Sequence, residues 1–202
     1  MKRRLMFTLP IFTLPMLAAG CSVLPDRPFI ESRRFILDPR RQGPMAGRPR
    51  QAILLRTMRA APGLELRGLR RLRANGTMDI APFEEWLAPP AELAEQALRQ
   101  WLVASGRFSG VTAPGSRLEA FFILETELLA LQVGPEGARA ALAVLLLTQP
   151  SGLGEPRLRG QTRLEALIPV PPGADAASHA AAMEATMARV FTDLETWLVS
   201  LV

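Results

Sequence analysis

The sequence predicts a single small α/β domain of the α+β type, a mostly antiparallel sheet with two helices packed on one face, behind an N-terminal tether. Three observations predict it. Two stretches repeat apolar residues every three or four positions: Leu93, Ala97, Leu98, Trp101 and Leu102, then Ala180, Met183, Met187, Val190, Leu194, Leu198 and Leu201. Two others alternate apolar with polar residues, Leu118 to Val133 and Leu158 to Ile168, as half-buried strands do. The resulting order, β, ββ, α, βββ, α, clusters strands with strands, which favours antiparallel neighbours over a parallel sheet wound with helices.

Each element has a local reason. Ala52-Ile53-Leu54-Leu55 is a short apolar run suited to a buried strand. Leu69 to Ala74 and Thr77 to Ile80 flank Asn75-Gly76, a dipeptide that forms two-residue hairpins when both positions take positive φ. The first helix starts near Pro89-Pro90, because the missing proline N–H costs nothing in a first turn, and Gly106 stops it. In the long strand, Leu118, Ala120, Phe122, Leu124 and Leu128 share one face and Glu119, Glu125 and Glu127 the other, with a bulge expected near Leu129. Ala138 to Leu147 is nearly all apolar and reads as a central strand. Leu158 to Ile168 turns Arg159, Gln161, Arg163 and Glu165 outward, and the last helix runs to the C-terminus.

Composition excludes several kinds of function. The chain has 202 residues, 49% hydrophobic and 21% charged, enough apolar material for a core and too much for a disordered chain. With one Cys and one His, a disulfide framework, a Cys/His zinc site and a His-dependent triad are excluded. The formal charge of +5 overstates basicity: three of the 24 basic residues precede Cys21, leaving 21 against 19 acidic groups. No aromatic stacking surface accompanies the arginines, so no nucleic-acid partner is expected.

The N-terminus reads as an address. Met1 to Arg4 form a basic start, Leu5 to Leu17 an apolar run of thirteen, and Ala18-Ala19-Gly20 lead to the chain's one cysteine. The run is too short to span a bilayer, which takes about 20 residues. The small residues ending on Cys21 resemble a bacterial lipobox, with Ala18 where leucine is commonest. That resemblance implies cleavage of residues 1–20, acylation of Cys21 and attachment to a membrane that buried acyl chains make effectively permanent. By similarity to bacterial sorting rules, Ser22 implies the outer membrane, with the domain facing the periplasm. Residues 21–50, rich in Pro and Arg, read as a solvated tether, within which only Arg34-Phe35-Ile36-Leu37 is fit to join a sheet; the domain proper is expected over 51–202.

From this point the element order resembles a known family. The lipobox, the Arg-Phe-Ile-Leu and Ile53-Leu54-Leu55 strands, the hairpin leading into Phe83-Glu84-Glu85-Trp86-Leu87-Ala88-Pro89-Pro90, and the helix, three strands and helix that follow are similar to the ABC-type transport auxiliary lipoproteins, the PqiC-like family. Trp86-Leu87-Ala88-Pro89-Pro90 looks like that family's Trp-Ala-x-Pro element, and Phe83 stands where an aromatic usually precedes it, the chain having no Tyr. The resemblance implies a non-catalytic lipoprotein without cofactor, working beside an Mce-domain protein, a permease and an ATPase in lipid movement between inner and outer membranes. A homo-oligomer would suit a tunnel-extending role.

Candidates for partner contact are Phe83, Trp86 and Pro89, set against a packing role for Trp86 over the start of the first helix. Trp101 and the Met183/Met187 pair read as core, Trp197 as core in preference to a lipid- or partner-facing residue, and His179 as a solvated surface residue, with no metal site expected. Glu84-Glu85 and Glu125/Glu127 suit solvated faces better than an acid/base pair. Two other functions stay open: a structural envelope lipoprotein that binds peptidoglycan or an outer-membrane assembly complex, and a hydrolase using carboxylates alone.

Overall fold

A computed structural model describes residues 29–45, 51–149 and 154–202. The chain divides into two compact units, Met1–Ile30 and Glu31–Val202, and all secondary structure among the described residues belongs to the second. The expected leader, Cys21, and residues 22–28 and 46–50 of the expected tether lie outside the described residues.

Three long strands build the centre of the sheet: β7 (Phe122–Gly134), β8 (Gly137–Thr148) and β9 (Arg157–Ile168), joined antiparallel as a meander. The other edge of β7 is shared, end to end, by three short strands running parallel to it. β2 (Ala52–Leu55) sits beside Phe122 to Leu124, β3 (Arg59–Ala60) beside Glu127 and Leu128, and β4 (Gly68–Leu72) beside Val133. β6 (Gly110–Thr112) extends the sheet beyond β2, and β5 (Met78–Trp86) and β1 (Arg33–Phe35) extend it beyond β4. The long antiparallel ladders dominate, with short parallel pairings at the margin.

Alternation decides which face is dry. Ala138, Ala140, Leu142, Val144 and Leu146 of β8 and Leu124 and Leu128 of β7 are buried beneath α1 (Pro90–Ser105) and α2 (Ala176–Val199). The helices answer with Leu98, Trp101 and Leu102, and with Met183, Met187, Val190, Phe191, Leu194 and Leu198. Each fully buried Leu or Met contributes about 1.5–3 kcal/mol relative to exposure. Pro90 opens α1 and Gly106 closes it; Asp175 caps α2 by accepting from the Ser178 N–H at 2.9 Å. The bulge foreseen near Leu129 is present, with the register shifting between Leu128 and Ala130.

Other expectations need correcting. The long strand begins at Phe122, and Leu118 lies in an exposed loop where its N–H bonds to Ser116 Oγ. The β4–β5 turn keeps Asn75 out of the positive-φ region; only Gly76 is there, at 82°. The Gly76 N–H bonds to Arg73 O and the Arg73 N–H to Thr77 O, a three-residue loop of a type I turn followed by a glycine bulge. β5 also runs on through Pro82 to Trp86, with a large register shift between its Ile80 and Glu85 partners. A proline fits a strand at such an irregularity because it has no N–H for the ladder. Opposite it, Gly68 is required: a Cβ there would lie 2.6 Å from Ala81 O and from Ile80 Cγ2.

The supposed tether is partly domain. β1 pairs with β5 in parallel, Leu37 is buried in the core, and the Asp38 N–H donates to Glu184 of α2 at 3.2 Å. Two inward-facing apolar residues, Phe35 and Leu37, outweigh the surrounding prolines and arginines, so residues 33–42 form a strap across the domain.

Candidate functional site

The residues proposed for partner contact do not form one surface. Phe83 is 40% exposed and Trp86 only 1%, because three steps along β5 turn them to opposite faces. Trp86 pairs with Phe35 of β1, and its backbone N–H donates to Arg67 O at 2.7 Å, so its indole belongs to the core. Pro89 is half-buried as the residue before α1, its carbonyl taking the N–H groups of Glu92 and Leu93. Of the three, Phe83 is the one presented to solvent. Cys21 lies outside the described residues.

The densest polar cluster was not foreseen. Glu195 of α2 is buried and accepts from Arg41 Nε (2.8 Å) and Nη2 (3.0 Å), Arg107 Nε (3.0 Å) and Trp101 Nε1 (3.0 Å). The two-pronged bond from Arg41 holds its carboxyl below the ordinary carboxylate range, helped by Arg107 and Trp101 and opposed by burial. With its oxygens so occupied, Glu195 serves as a hydrogen-bond acceptor whose ionised form the cluster favours. It clasps the strap to both helices. The signal in the sequence was an acid four residues after Phe191 on the apolar stripe, with no partner visible nearby.

The carboxylates singled out in the sequence are paired in a similar way. Glu84 takes Arg33 (2.8 Å) and Arg71, and Glu85 takes Arg34 (2.9 Å) and Arg67 (3.4 Å). On the face of the sheet away from the helices, Glu125 pairs with Arg56, Glu127 with Arg59, and Glu165 with Arg139 and Arg163. The Arg139 hydrogen bonds hold Glu165 below the usual carboxylate range. His179 differs from expectation. It is half-buried at the start of α2, facing Arg71, Glu84 and Asp175, with Nδ1 enclosed and without a hydrogen-bond partner. Burial, then Arg71, push its pKa down.

The described residues line hollows in the surface, two of them sizeable. One of about 570 Å³ lies between β9, α2 and the strap, lined by Arg40, Trp101, Leu167 and Arg189; the other, about 490 Å³, is lined by Leu54, Leu118, Phe121, Ile123 and Gln149. Among the described residues no three His, Cys, Asp or Glu side chains gather closely enough to hold a metal ion, and no helix is long and apolar enough to cross a membrane.

No family model matches the sequence, and no curated protein does. Solved structures do share the fold. A Xanthomonas campestris protein of the DUF330 family model superposes with a TM-score of 0.68 at 18% identity, covering 82% of this chain and 94% of that one. An uncharacterized protein gives 0.58 at 12% identity over 84% and 99% of the two chains. A hypothetical protein from Chlamydia trachomatis gives 0.53 at 10% identity over 77% and 98%. At these identities the likeness is one of fold, an α+β domain whose mostly antiparallel sheet carries two helices.

Proposed function

We propose that this protein is the periplasm-facing lipoprotein of an Mce-type ABC transport system that moves phospholipid between the inner and outer membranes. In this reading acylated Cys21 holds it on the outer membrane, and the domain serves as a non-catalytic docking or tunnel-extending piece for the Mce-domain protein that works with the permease and ATPase. The observation that carries the reading is N-terminal: a largely apolar run of thirteen residues, Leu5 to Leu17, then Ala18-Ala19-Gly20 closed by the one cysteine, ahead of the Arg-Phe-Ile-Leu strand. The domain's chemistry is in keeping with docking. Glu165, Asp175 and Glu195 are held below their ordinary pKa values by hydrogen bonds, which suits ion pairs and caps and disfavours proton donation.

The test is a gentle detergent extraction of the native lipoprotein, followed by mass spectrometry of the proteins and lipids that come with it. Recovery of an Mce-domain protein, with or without phospholipid, supports the reading. Peptidoglycan fragments or an unrelated envelope complex in its place would assign a structural envelope role instead. In parallel, Cys21→Ser is expected to release or mislocalise the chain, and firm membrane retention of that variant refutes the anchor.

A further inference from the structure

The side of the sheet away from the helices carries an apolar row at its β1 end. Leu87 follows β5, and its N–H donates to Phe35 O at 2.7 Å, continuing the β1–β5 ladder and placing Ile36 beside it. On the other flank, Gly68 pairs with Glu85 and Arg67 O accepts from Trp86, so one further antiparallel step places Leu66 beside Leu87. Three large apolar side chains thus stand in a line across three strands or their extensions, and they are 62%, 52% and 54% exposed (Ile36, Leu87 and Leu66). Phe83, also exposed, lies two residues before Glu85 on the same strand. The adjacent row is charged. Arg34 and Arg67 both bond to Glu85, and their guanidiniums are far more exposed than the carboxylate beneath them, so the outer charge is positive.

An apolar row edged by outward cations marks an interaction surface, and its chemistry matches an anionic phospholipid interface, where buried apolar area and headgroup attraction add. Chain length points the same way. Twelve peptide steps separate Cys21 from Arg33, and at about 3.6 Å each they reach at most about 43 Å whatever their conformation. The strand β1, which carries Arg34 and leads directly into Ile36, is therefore the domain element tied most closely to any lipid on Cys21.

We propose that Ile36, Leu66, Phe83 and Leu87, with Arg34 and Arg67, form a membrane-docking face that rests on anionic phospholipid headgroups of the bilayer holding the chain. The proposal rests on Cys21 being the lipid anchor. Docking fixes how the domain is turned toward the bilayer, a matter the acyl chains alone leave free.

Because the chain's one cysteine is consumed by acylation in this reading, an introduced cysteine is a unique labelling site. The acylated full chain carrying Leu87→Cys, and separately Thr192→Cys on exposed α2, is labelled with a polarity-sensitive fluorophore. Each is reconstituted in phosphatidylethanolamine vesicles with and without phosphatidylglycerol, and flotation is recorded first. Expected is a blue shift, and quenching by lipid-borne quencher, at position 87 when phosphatidylglycerol is present and not at 192. Arg34→Gln with Arg67→Gln is expected to weaken docking about 25-fold, taking about fivefold per arginine near an anionic surface, while circular dichroism stays unchanged. A chain that floats with position 87 as wet as position 192 overturns docking and leaves the anchor standing. Failure to float overturns both. A label already shielded without vesicles shows that a second copy covers the row, and the membrane proposal fails.

Discussion

Removing the Glu195 carboxylate should be the most damaging single polar change in this domain. In Glu195→Ala, Arg41 keeps the bonds of Nη1 to the Gly43 and Pro44 carbonyls (3.1 and 2.9 Å), but Nε and Nη2 lose their acceptors on a side chain only 11% exposed. Trp101 loses the acceptor of its indole N–H inside the core. Arg107 is 33% exposed and can turn to water at small cost. A buried donor left unmade costs about 1–3 kcal/mol, more when charged. The expected loss is then about 3–5 kcal/mol, the range for breaking one side of a buried ion pair. Glu195→Gln, which keeps one acceptor oxygen, should lose about half of that. In urea unfolding followed by circular dichroism, a slope of about 2 kcal/mol per M converts the alanine loss into a midpoint lowered by about 2 M. Arg41→Ala and the double variant complete a cycle, with an expected coupling of about 2 kcal/mol. A midpoint shift below about 0.5 M, or strictly additive single variants, would refute the clasp.

Other consequences are separately measurable. Trp86→Ala should cost about 3–5 kcal/mol as a core truncation, whereas Phe83→Ser should stay within about 0.5 kcal/mol; thermal melts that rank them otherwise would contradict the burial described above. Gly68→Ala forces a Cβ onto the Ala81 carbonyl and should lower stability by about 1–3 kcal/mol, and an unchanged melting temperature would mean the β5 irregularity is not rigid. Stability should fall in two stages on acidification. His179 has a depressed folded pKa, so the unfolded chain takes its proton first and stability declines as pH drops below the ordinary histidine value of 6.5. Glu165, Asp175 and Glu195 have depressed carboxyl pKa values, so their contribution is full above about pH 4.5 and disappears as pH falls through the lower folded values. His179→Gln should abolish the first stage and leave the second; persistence of both would exclude His179 as its source.

Much of the architecture was legible because burial writes a period into the chain. The stripe from Ala180 to Leu198 and the alternation along β7 and β9 each reflect one wet and one dry face, and both survive as elements. Elements too short to hold a period were not legible: Gly110-Val111-Thr112 is a strand because Ala52 to Leu54 lie beside it, a fact of tertiary structure. Composition misled at residues 33–42, where prolines and arginines hid two inward residues, Phe35 and Leu37. The Asn75-Gly76 pair announced a hairpin correctly but not its loop, since Thr77 and Arg73 close a wider turn around it. The clasp was least legible, as Arg41 and Glu195 lie 154 residues apart and only the fold makes them neighbours. Of the residues singled out in the Trp86 element, Phe83 alone kept an outward aspect. Its companions Ile36 and Leu66 came into view only with the register of β1 and β4.

The strap also determines how the molecule yields to tension. A pull transmitted from the N-terminal side reaches the domain in chain order, first at the three residues of β1, next at Leu37, and only then at Arg41. The first stage is a short edge ladder that can peel and re-form at the cost of lifting the partly buried Phe35 from the margin of the core. The second is a plug, and the third a charged catch bonded to both helices. A domain pulled by its N-terminal side would thus give slack before it gives way, like a rope with a knot behind its frayed end.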